Sequence, residues 1–353
     1  MAEVPRPTEK QAALPPQAIV MQMVMGAWLS QTISAVTRLN IPDLLKAYGP
    51  QTALRLIQDH DVGARPEFLE RALRACASVG IFSEDAEGRF GPTAFSEVLT
   101  SSSAVSVKKL TEIFGGTWWK VWAGLPDALR TGMPQAKAQL GMEYWDYCKA
   151  NPKEMEDFGE AMKSNSHLSI RGVLEHCDLS GVKKVADIGG GFGHLAIALL
   201  RRYRDLRGIV LELPDLIPIA RKHLGDENPE VVSRIEFVGG DMFGEMPAAD
   251  VYLMKHIIHD WDDARCIRLL SNCRAGLVGN GRVICIDAVL PPMGDTSGTP
   301  AKLLDIDMMV FIPGKERTRK QWEELYDAAG LKITSITSLH DNFGTSIVEG
   351  RKT

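Results

Sequence analysis

The pattern of apolar and polar positions divides the chain into two parts, of which the first is helical. Residues 17–39 predict a long helix whose first half is apolar around nearly its whole circumference. Residues 40–100 predict three shorter helices and then a small hairpin at residues 81–90, which is typical of a winged helix. Residues 104–165 are mainly helical and rich in tryptophan. The first part is therefore predicted as an N-terminal domain of residues 1–165.

From about residue 166 onward, apolar strands alternate with amphipathic segments of helical length. We predict strands at residues 182–188, 208–213, 234–240, 249–256, 281–290, 331–339 and 345–351. Such alternation predicts a mostly parallel sheet with helices on both faces, closed by an antiparallel hairpin at its edge. The fold class is therefore α/β, with a second domain of residues 166–353 that carries a seven-stranded sheet.

The apolar half of the first helix needs cover on every side. Because this helix lies near the start of the sequence, its own chain covers it with difficulty, and we interpret the cover as a second copy of the chain. The alternative is a helix buried entirely within its own chain.

Charge and composition exclude several partners. The chain has 40 basic and 45 acidic residues, a net charge of −5, and the winged-helix region from Gln51 to Thr100 has five basic and eight acidic residues. A nucleic-acid partner is therefore not expected. The chain has no run of about 18 apolar residues and no signal-peptide pattern, and its six cysteines form no metal-like pairs. We expect a cytoplasmic protein with no membrane span.

A glycine-rich loop, DIGGGFGH at residues 187–194, directly follows the first strand of the second domain. The GxGxxG pattern of NAD proteins would need a third glycine where His194 stands, and the phosphate-binding GxxxxGK pattern is missing. An acidic residue followed by GxGxG is the pattern of S-adenosylmethionine (SAM) methyltransferases. Glu212 ends the next strand, 25 residues after Asp187, where two acceptor oxygens can hold a ribose diol. A tight glycine turn without a ligand is the alternative.

Four further stretches follow in order. They are VGGDMF (238–243), LMKHIIHDWDD (253–263), IDAVLPP (286–292) and PGKERTRKQWEELYDAAGL (313–331). With the glycine loop they resemble the plant-type, or caffeate/hydroxyindole-like, family of SAM-dependent O-methyltransferases over nearly the whole chain. The resemblance implies a Rossmann-like class I methyltransferase domain and an N-terminal winged-helix domain that forms a homodimer.

The resemblance also implies residue roles. The residues implied to hold SAM, and its product S-adenosylhomocysteine, are Asp187, Gly189, Gly191, Glu212, Asp241, Met242 and Lys255. His259 is implied as the catalytic base, flanked by Asp287 and Glu316. From their apolar, methionine-rich character we predict that a flat aromatic acceptor is lined by Trp145, Phe158, Met162, Asn165, Met308, Met309 and Phe311. Core packing is the alternative for each of these lining residues.

The implied chemistry is reasonable for these side chains. A phenol has a pKa of about 10 and reacts well only as the phenolate. Histidine can accept that proton, and a carboxylate on its other nitrogen fixes the tautomer. A histidine before a helix can instead be a cap or a core residue, and Glu316 can pair with Arg317 or Arg319 on a solvated loop. We expect no metal, although His256, His259 and Asp260 are spaced closely enough to suggest one.

Two departures from the family limit what can be carried over. Asp287 stands where relatives more often have glutamate, and the segment from Asp307 to Glu316 is shorter than in plant relatives. The acceptor is therefore not inferred from plant enzymes.

The sequence predicts a SAM-dependent O-methyltransferase of a phenolic hydroxyl on an aromatic secondary metabolite. The alternatives are an N- or C-methyltransferase of the same fold, a SAM-binding protein that assists decarboxylation or hydroxylation, a ligand-sensing winged-helix regulator, and an NAD-dependent reductase.

Overall fold

The computed structural model describes residues 14–225, 227–341 and 343–353, and only the backbone of residues 163–168. The described chain divides into two units. The helical unit contains residues 14–120 and 148–165, and the sheet unit contains residues 121–147 and 166–353.

The N-terminal elements match the predicted helices and hairpin closely. They are α1 (Pro16–Arg38), α2 (Ile41–Tyr48), α3 (Ala53–His60), α4 (Pro66–Ala77), β1 (Ser83–Glu84), β2 (Phe90–Gly91), α5 (Ala94–Glu97), α6 (Lys108–Phe114) and α7 (Thr117–Trp122). The Thr52 side chain caps α3, and Thr93 forms a capping box with Ser96 at α5. The core of this region includes Ile41 and Leu73, both fully buried.

The first half of α1 is exposed in the single chain. Its large apolar side chains are between 46% and 71% exposed: Val20, Met21, Met23, Val24, Met25 and Trp28. The alternative of a helix buried within its own chain is therefore wrong for the described residues. By length and composition α1 could also cross a membrane, and 11% of its most apolar stretch is buried. So large an apolar face marks an interaction surface.

The remaining elements follow in chain order. Four helices come first: α8 (Leu125–Thr131), α9 (Ala136–Leu140), α10 (Tyr144–Ala150) and α11 (Pro152–His176). Strands and helices then alternate: β3 (Lys184–Ile188), α12 (His194–Arg202), β4 (Arg207–Glu212), α13 (Ile217–His223), α14 (Pro229–Val232), β5 (Ile235–Gly239), β6 (Ala249–Lys255), α15 (Asp263–Gly276), β7 (Leu277–Leu290), α16 (Thr299–Phe311), β8 (Arg317–Thr318), α17 (Arg319–Ala328), β9 (Leu331–Ser338) and β10 (Thr345–Lys352).

The sheet confirms the predicted α/β class. Its strand order is β5-β4-β3-β6-β7-β10-β9, parallel from β5 to β7, with β10 antiparallel to both β7 and β9. All seven predicted strands are present. An eighth strand within the described residues, β8, pairs with the end of β7. A two-residue strand carries no apolar period, so the sequence pattern did not predict it.

Both faces of the sheet are buried. Along β6, Val251 and Leu253 lie in one apolar cluster, whereas Tyr252 and Met254 lie in the cluster on the opposite face. This two-sided burial is what a parallel sheet covered by helices requires. It leaves the carboxyl ends of β3, β4, β6 and β7 as the edge where polar side chains can gather, as open α/β sheets do at ligand sites.

Candidate active site

The glycine loop after β3 keeps its backbone open. Gly189, Gly191 and Gly193 have φ angles of 65°, 57° and 79°, in the left-handed region that favours glycine. A Cβ on Gly190 would lie 2.7 Å from the Asp187 carboxyl group, whereas nothing lies within 4 Å of a Cβ on Gly191. The loop therefore packs tightly against Asp187 on one side and leaves space beside Gly191.

Two buried carboxyl groups lie at this loop. Asp187 is 1% exposed, and its Oδ2 has no hydrogen-bond partner among the described residues. Burial raises the pKa of Asp187 to about 7, although the charge of Lys255 acts in the opposite direction. Glu212 accepts hydrogen bonds from the backbone N–H groups of Gly191 (2.9 Å) and Leu213 (2.7 Å), and burial raises its pKa. The oxygens of these two carboxyl groups accept hydrogen bonds, so they fit a ligand that carries a positive charge and hydroxyl groups.

The other three residues predicted to hold SAM lie at the same edge of the sheet. Burial lowers the pKa of Lys255, at the end of β6, to about 8, although the charges of Asp187 and Asp287 act to raise it. The methyl group of Met242 lies 3.7 Å from the position of a Cβ on Gly189. Asp241 is exposed, and its carboxylate accepts a hydrogen bond from the Phe243 backbone N–H at 2.9 Å. Lys255 and Met242 thus border the glycine loop, while Asp241 stabilises the turn after β5.

His259 lies on a short 3-10 turn directly after β6 and is 6% exposed. Its Nδ1 lies 2.6 Å from Glu316 Oε1 and 3.7 Å from Asp287 Oδ1. Its Nε2 lies 3.4 Å from Asp260 Oδ1, beyond a strong hydrogen bond. Nδ1 is therefore occupied by the chain, and Nε2 is the nitrogen left for a reacting group.

The charges around His259 set its protonation. Burial by itself lowers the pKa of the imidazole, but the charges of Glu316 and Asp287 outweigh burial and raise the pKa to about 10. Burial raises the pKa of Asp287, which is fully buried and whose two oxygens have no hydrogen-bond partner in the described chain. The direct partner of His259 is thus Glu316, and Asp287 acts at longer range, as its shorter side chain predicts.

The segment before β8 holds the His259 turn in place. The Lys315 N–H donates to the His259 carbonyl oxygen at 2.9 Å, and a Cβ on Gly314 would lie 1.9 Å from that oxygen. Arg317 is 1% exposed and donates to the Ile258 carbonyl at 3.0 Å. Only glycine at 314 permits this close approach, so residues 313–317 fix the position of the His259 turn and also supply Glu316.

The solvated-loop alternative for Glu316 is wrong. Glu316 is 2% exposed and contacts His259, while Arg317 forms its ion pair with Asp263 at 2.8 Å. Arg317 is a positioning residue that sequence reasoning missed. In the sequence, the only indication of this role is that Arg317 follows Glu316, and such a neighbour is equally compatible with an ion pair on the surface.

The structure also places His256 beside His259. It has a φ angle of 56°, unusual for a residue other than glycine, and its ring stacks on His259 with centroids 5.2 Å apart. One ligand atom each from His256, His259 and Asp287 lies within 4.8 Å of the others. By spacing these three could hold a metal ion, so chemistry without a metal stays a prediction.

The residues predicted to line the acceptor pocket fall in both units. In the sheet unit, Met308 and Phe311 are buried on α16 and Met309 is half-buried. Tyr144 packs edge-on against Phe311 (5.3 Å between centroids) and contacts Trp145 (5.4 Å), so Trp145 and Phe311 belong to one aromatic cluster. In the helical unit, Phe158 and Met162 are half-buried on α11. The side chain of Asn165 lies outside the described residues.

Sequence reasoning also missed Asp307, which lies among the predicted apolar residues of α16. Asp307 is 7% exposed and accepts a hydrogen bond from the Trp122 indole N–H at 2.5 Å. The sequence does contain an indication of this residue, because Asp307 is an acidic residue that interrupts the apolar run that includes Met308 and Phe311.

Comparison with known proteins identifies the family of the chain. A family model described as an O-methyltransferase domain matches residues 122–332, and one described as an O-methyltransferase dimerisation domain matches residues 21–102. The phenazine O-methyltransferase PhzM of Lysobacter antibioticus is 33% identical over 340 residues, which cover 96% of this chain and 97% of that protein. The second model includes most of the exposed face of α1 and supports homodimer formation.

Two solved structures are similar over nearly the whole chain. The crystal structure of LaPhzM has a TM-score of 0.90 and 33% identity, covering 96% of this chain and all of that one. Human N-acetylserotonin methyltransferase in complex with SAM has a TM-score of 0.88 and 25% identity, covering 97% and 99%. The open glycine loop and its buried carboxyl groups agree with SAM as the cofactor. The chain belongs to the O-methyltransferase family and is a SAM-dependent O-methyltransferase.

Proposed function

We propose that this enzyme methylates a phenolic hydroxyl of a small aromatic molecule in secondary metabolism, with His259 as the general base. The observation that carries the proposal is the buried contact of 2.6 Å between His259 Nδ1 and Glu316, which leaves Nε2 for the acceptor hydroxyl. Phenazine and N-acetylserotonin, in the names of two relatives, are aromatic. They support an aromatic acceptor for this chain.

The raised pKa of His259 suits a phenol. An ordinary imidazole, with a pKa of about 6.5, would take a proton from a phenol of pKa about 10 at a cost of about 5 kcal/mol. The charges of Glu316 and Asp287 raise the pKa of His259 to about 10 and remove most of that cost. The same raised pKa means that His259 is largely protonated at neutral pH in the free enzyme. The reaction rate should therefore rise as the pH increases above neutrality.

Each remaining residue has a role in this proposal. SAM, when bound, supplies a methyl group already activated on a sulfonium. Asp187, Glu212 and Lys255 at the carboxyl edge of the sheet, with the glycine loop, would hold it. Glu316 fixes the tautomer of His259, and Asp287 stabilises the imidazolium at longer range. No metal is needed, because the base and its counter-charges come from the chain.

The same proposal includes a cytoplasmic homodimer. The exposed apolar face of α1 lies largely in the matched dimerisation region and supports the dimer. All six cysteines are buried free thiols, as is usual in a reducing compartment.

The direct test is incubation of the purified enzyme with SAM and a panel of phenols, anilines and hydroxylated polycyclic aromatics. S-adenosylhomocysteine and product mass are followed by mass spectrometry. We expect a gain of one methyl group on oxygen. Methylation only of anilines would favour an N-methyltransferase, and tight SAM binding without any methylated product would favour chemistry other than methyl transfer.

Replacing the base tests its role. His259→Ala should lower kcat by about 10²- to 10⁴-fold, the usual contribution of a positioned general base. SAM binding by calorimetry should be unchanged, because His259 lies outside the glycine loop. His60→Ala is the matched control, since His60 lies on α3 in the helical unit. Wild-type activity in the His259 variant would contradict the general-base mechanism.

A further inference from the structure

Asp307 is a buried carboxyl group that forms no direct ion pair among the described residues. It is 7% exposed, and the Trp122 indole N–H donates to its Oδ1 at 2.5 Å. Among the described residues, no lysine, arginine or histidine forms an ion pair with it within 4 Å. An ionised carboxylate is expensive to bury without an opposite charge, and a single neutral donor offsets little of that cost.

The surroundings of Asp307 are aromatic. Phe311 lies one helical turn further along α16, and Tyr144 packs on its ring at 5.3 Å. Trp145 contacts Tyr144 in turn, and Trp122 bonds Asp307 directly. Aromatic faces beside a carboxylate form the usual environment for a cation in a binding site.

Asp307 lies on the helix that contacts Glu316, since the Glu316 backbone N–H donates to Asp305 Oδ1, two residues before Asp307, at 2.8 Å. Burial raises its pKa to about 6, while the Trp122 hydrogen bond and the charge of His259 act to lower it. The charges of Asp307 and His259 thus act on each other within the sheet unit. A cation held beside Asp307 would favour the ionised form of its carboxyl group.

We propose that Asp307 determines specificity by pairing with a positively charged nitrogen on the acceptor, so that the preferred substrates are hydroxylated aromatic amines or cationic N-heterocycles. This inference rests on the proposed methylation of an aromatic hydroxyl at His259. It adds a second point of recognition, a cation that is held while the hydroxyl faces Nε2. Binding of the cation supplies the direct ion pair that Asp307 lacks among the described residues.

The test uses two matched pairs of probes. Serotonin and tyramine carry a protonated amine at pH 8, and N-acetylserotonin and N-acetyltyramine have the same hydroxylated rings without the charge. Each probe is titrated into the enzyme loaded with S-adenosylhomocysteine, and Kd is measured by calorimetry. In the wild type we expect the amine of each pair to bind at least about 10-fold more tightly than its acetylated partner.

The Asp307→Asn variant removes the charge and keeps an acceptor for Trp122. We expect its preference for the amine to fall to about one, with Kd for the neutral probes changed by less than about 3-fold. Trp122→Phe is the matched control, since it removes the hydrogen bond and keeps the charge. It should retain the preference even if it lowers Tm. A merely structural role for Asp307 would weaken both members of each pair equally.

The outcomes separate this inference from the proposed function. Equal binding of charged and neutral probes in the wild type, binding of none of the four, or a preference that survives Asp307→Asn would overturn the inference. If the enzyme methylates neutral phenols at the same time, the proposed function still holds. A preference lost in Asp307→Asn, with no methylated product from any phenol, would support the cation site and contradict the proposed chemistry.

Discussion

The two halves of the site differ in how they balance charge. At the glycine loop, one oxygen of the buried Asp187 carboxyl has no hydrogen-bond partner in the part of the chain that the structure describes, and the space beside Gly191 is open. At the base, Glu316 contacts His259 directly, and Arg317 and Lys315 hold the His259 turn by its backbone. In the proposed function, SAM completes the first half, whereas the chain itself completes the second.

This difference shows which contacts have to be exact before substrate arrives. The glycine loop can leave acceptor capacity unused, because the cofactor brings its own charge and donors. A general base has to be oriented before each turnover, and the contact between His259 and Glu316 is already formed in the protein. Substitutions at the base should therefore affect the chemical step, and substitutions at the loop should affect cofactor binding or folding.

The largest effect that sharpens this comparison is expected for Glu316→Gln. The amide removes the nearest negative charge from His259, so the pKa of His259 falls from its raised value. The rising limb of kcat against pH should move to lower pH, while the maximal kcat falls about 10²-fold because the tautomer is no longer fixed. Measurement of kcat between pH 6 and about pH 10.5 tests both effects.

Glu323→Gln is the control for that substitution. Glu323 lies on α17, with its side chain 50% exposed beside Arg319. The same chemical change there should leave the pH profile unmoved. A Glu316→Gln profile identical to that of the wild type would mean that the contact of 2.6 Å does not set the protonation of the base.

At the glycine loop, alanine substitutions of two neighbouring glycines should affect different properties of the protein. Gly190→Ala places a methyl group 2.7 Å from the Asp187 carboxyl, so we expect a loss of about 1–3 kcal/mol in the free energy of unfolding. The methyl group of Gly191→Ala has no atom of the described residues within 4 Å, and the left-handed backbone at this position costs about 1–2 kcal/mol. Its methyl group fills the open space, so SAM affinity should fall about 10-fold.

Denaturant unfolding and calorimetry with SAM distinguish the two variants. If Gly191→Ala binds SAM as the wild type does, the open space beside Gly191 is not part of the cofactor site. If Gly190→Ala unfolds like the wild type, Asp187 moves freely and the loop is not held against it.

Much of this architecture could be predicted because it repeats in the sequence. The strands alternate with helices, and the positive φ angles of the loop occur at glycines, which can be read directly from the sequence. His259, Asp287 and Glu316 were placed by motifs, and the structure brings all three together. The order of the motifs therefore predicted both the fold and the three residues that the structure brings together around His259.

The acceptor side could not be predicted in the same way. Trp122 and Asp307 are 185 residues apart in sequence, and neither belongs to a periodic or glycine-marked motif. Their contact depends on how residues 121–122 pack against α16 within the sheet unit, which no local pattern encodes. Arg317 was ambiguous for a similar reason, because the sequence does not state whether an arginine beside a glutamate is buried.

The smallest expected effect concerns metal ions. His256, His259 and Asp287 are spaced closely enough to bind one, but Nδ1 of His259 is already occupied by Glu316 at 2.6 Å. A metal on Nδ1 would displace that carboxylate and remove the charge that makes His259 a strong base. We therefore expect kcat to be unchanged after dialysis against EDTA and after addition of Mg²⁺. Loss of activity with EDTA that Mg²⁺ or Zn²⁺ restores would instead make the three residues a metal centre, and the base half of the site would, like the glycine loop, be completed from outside.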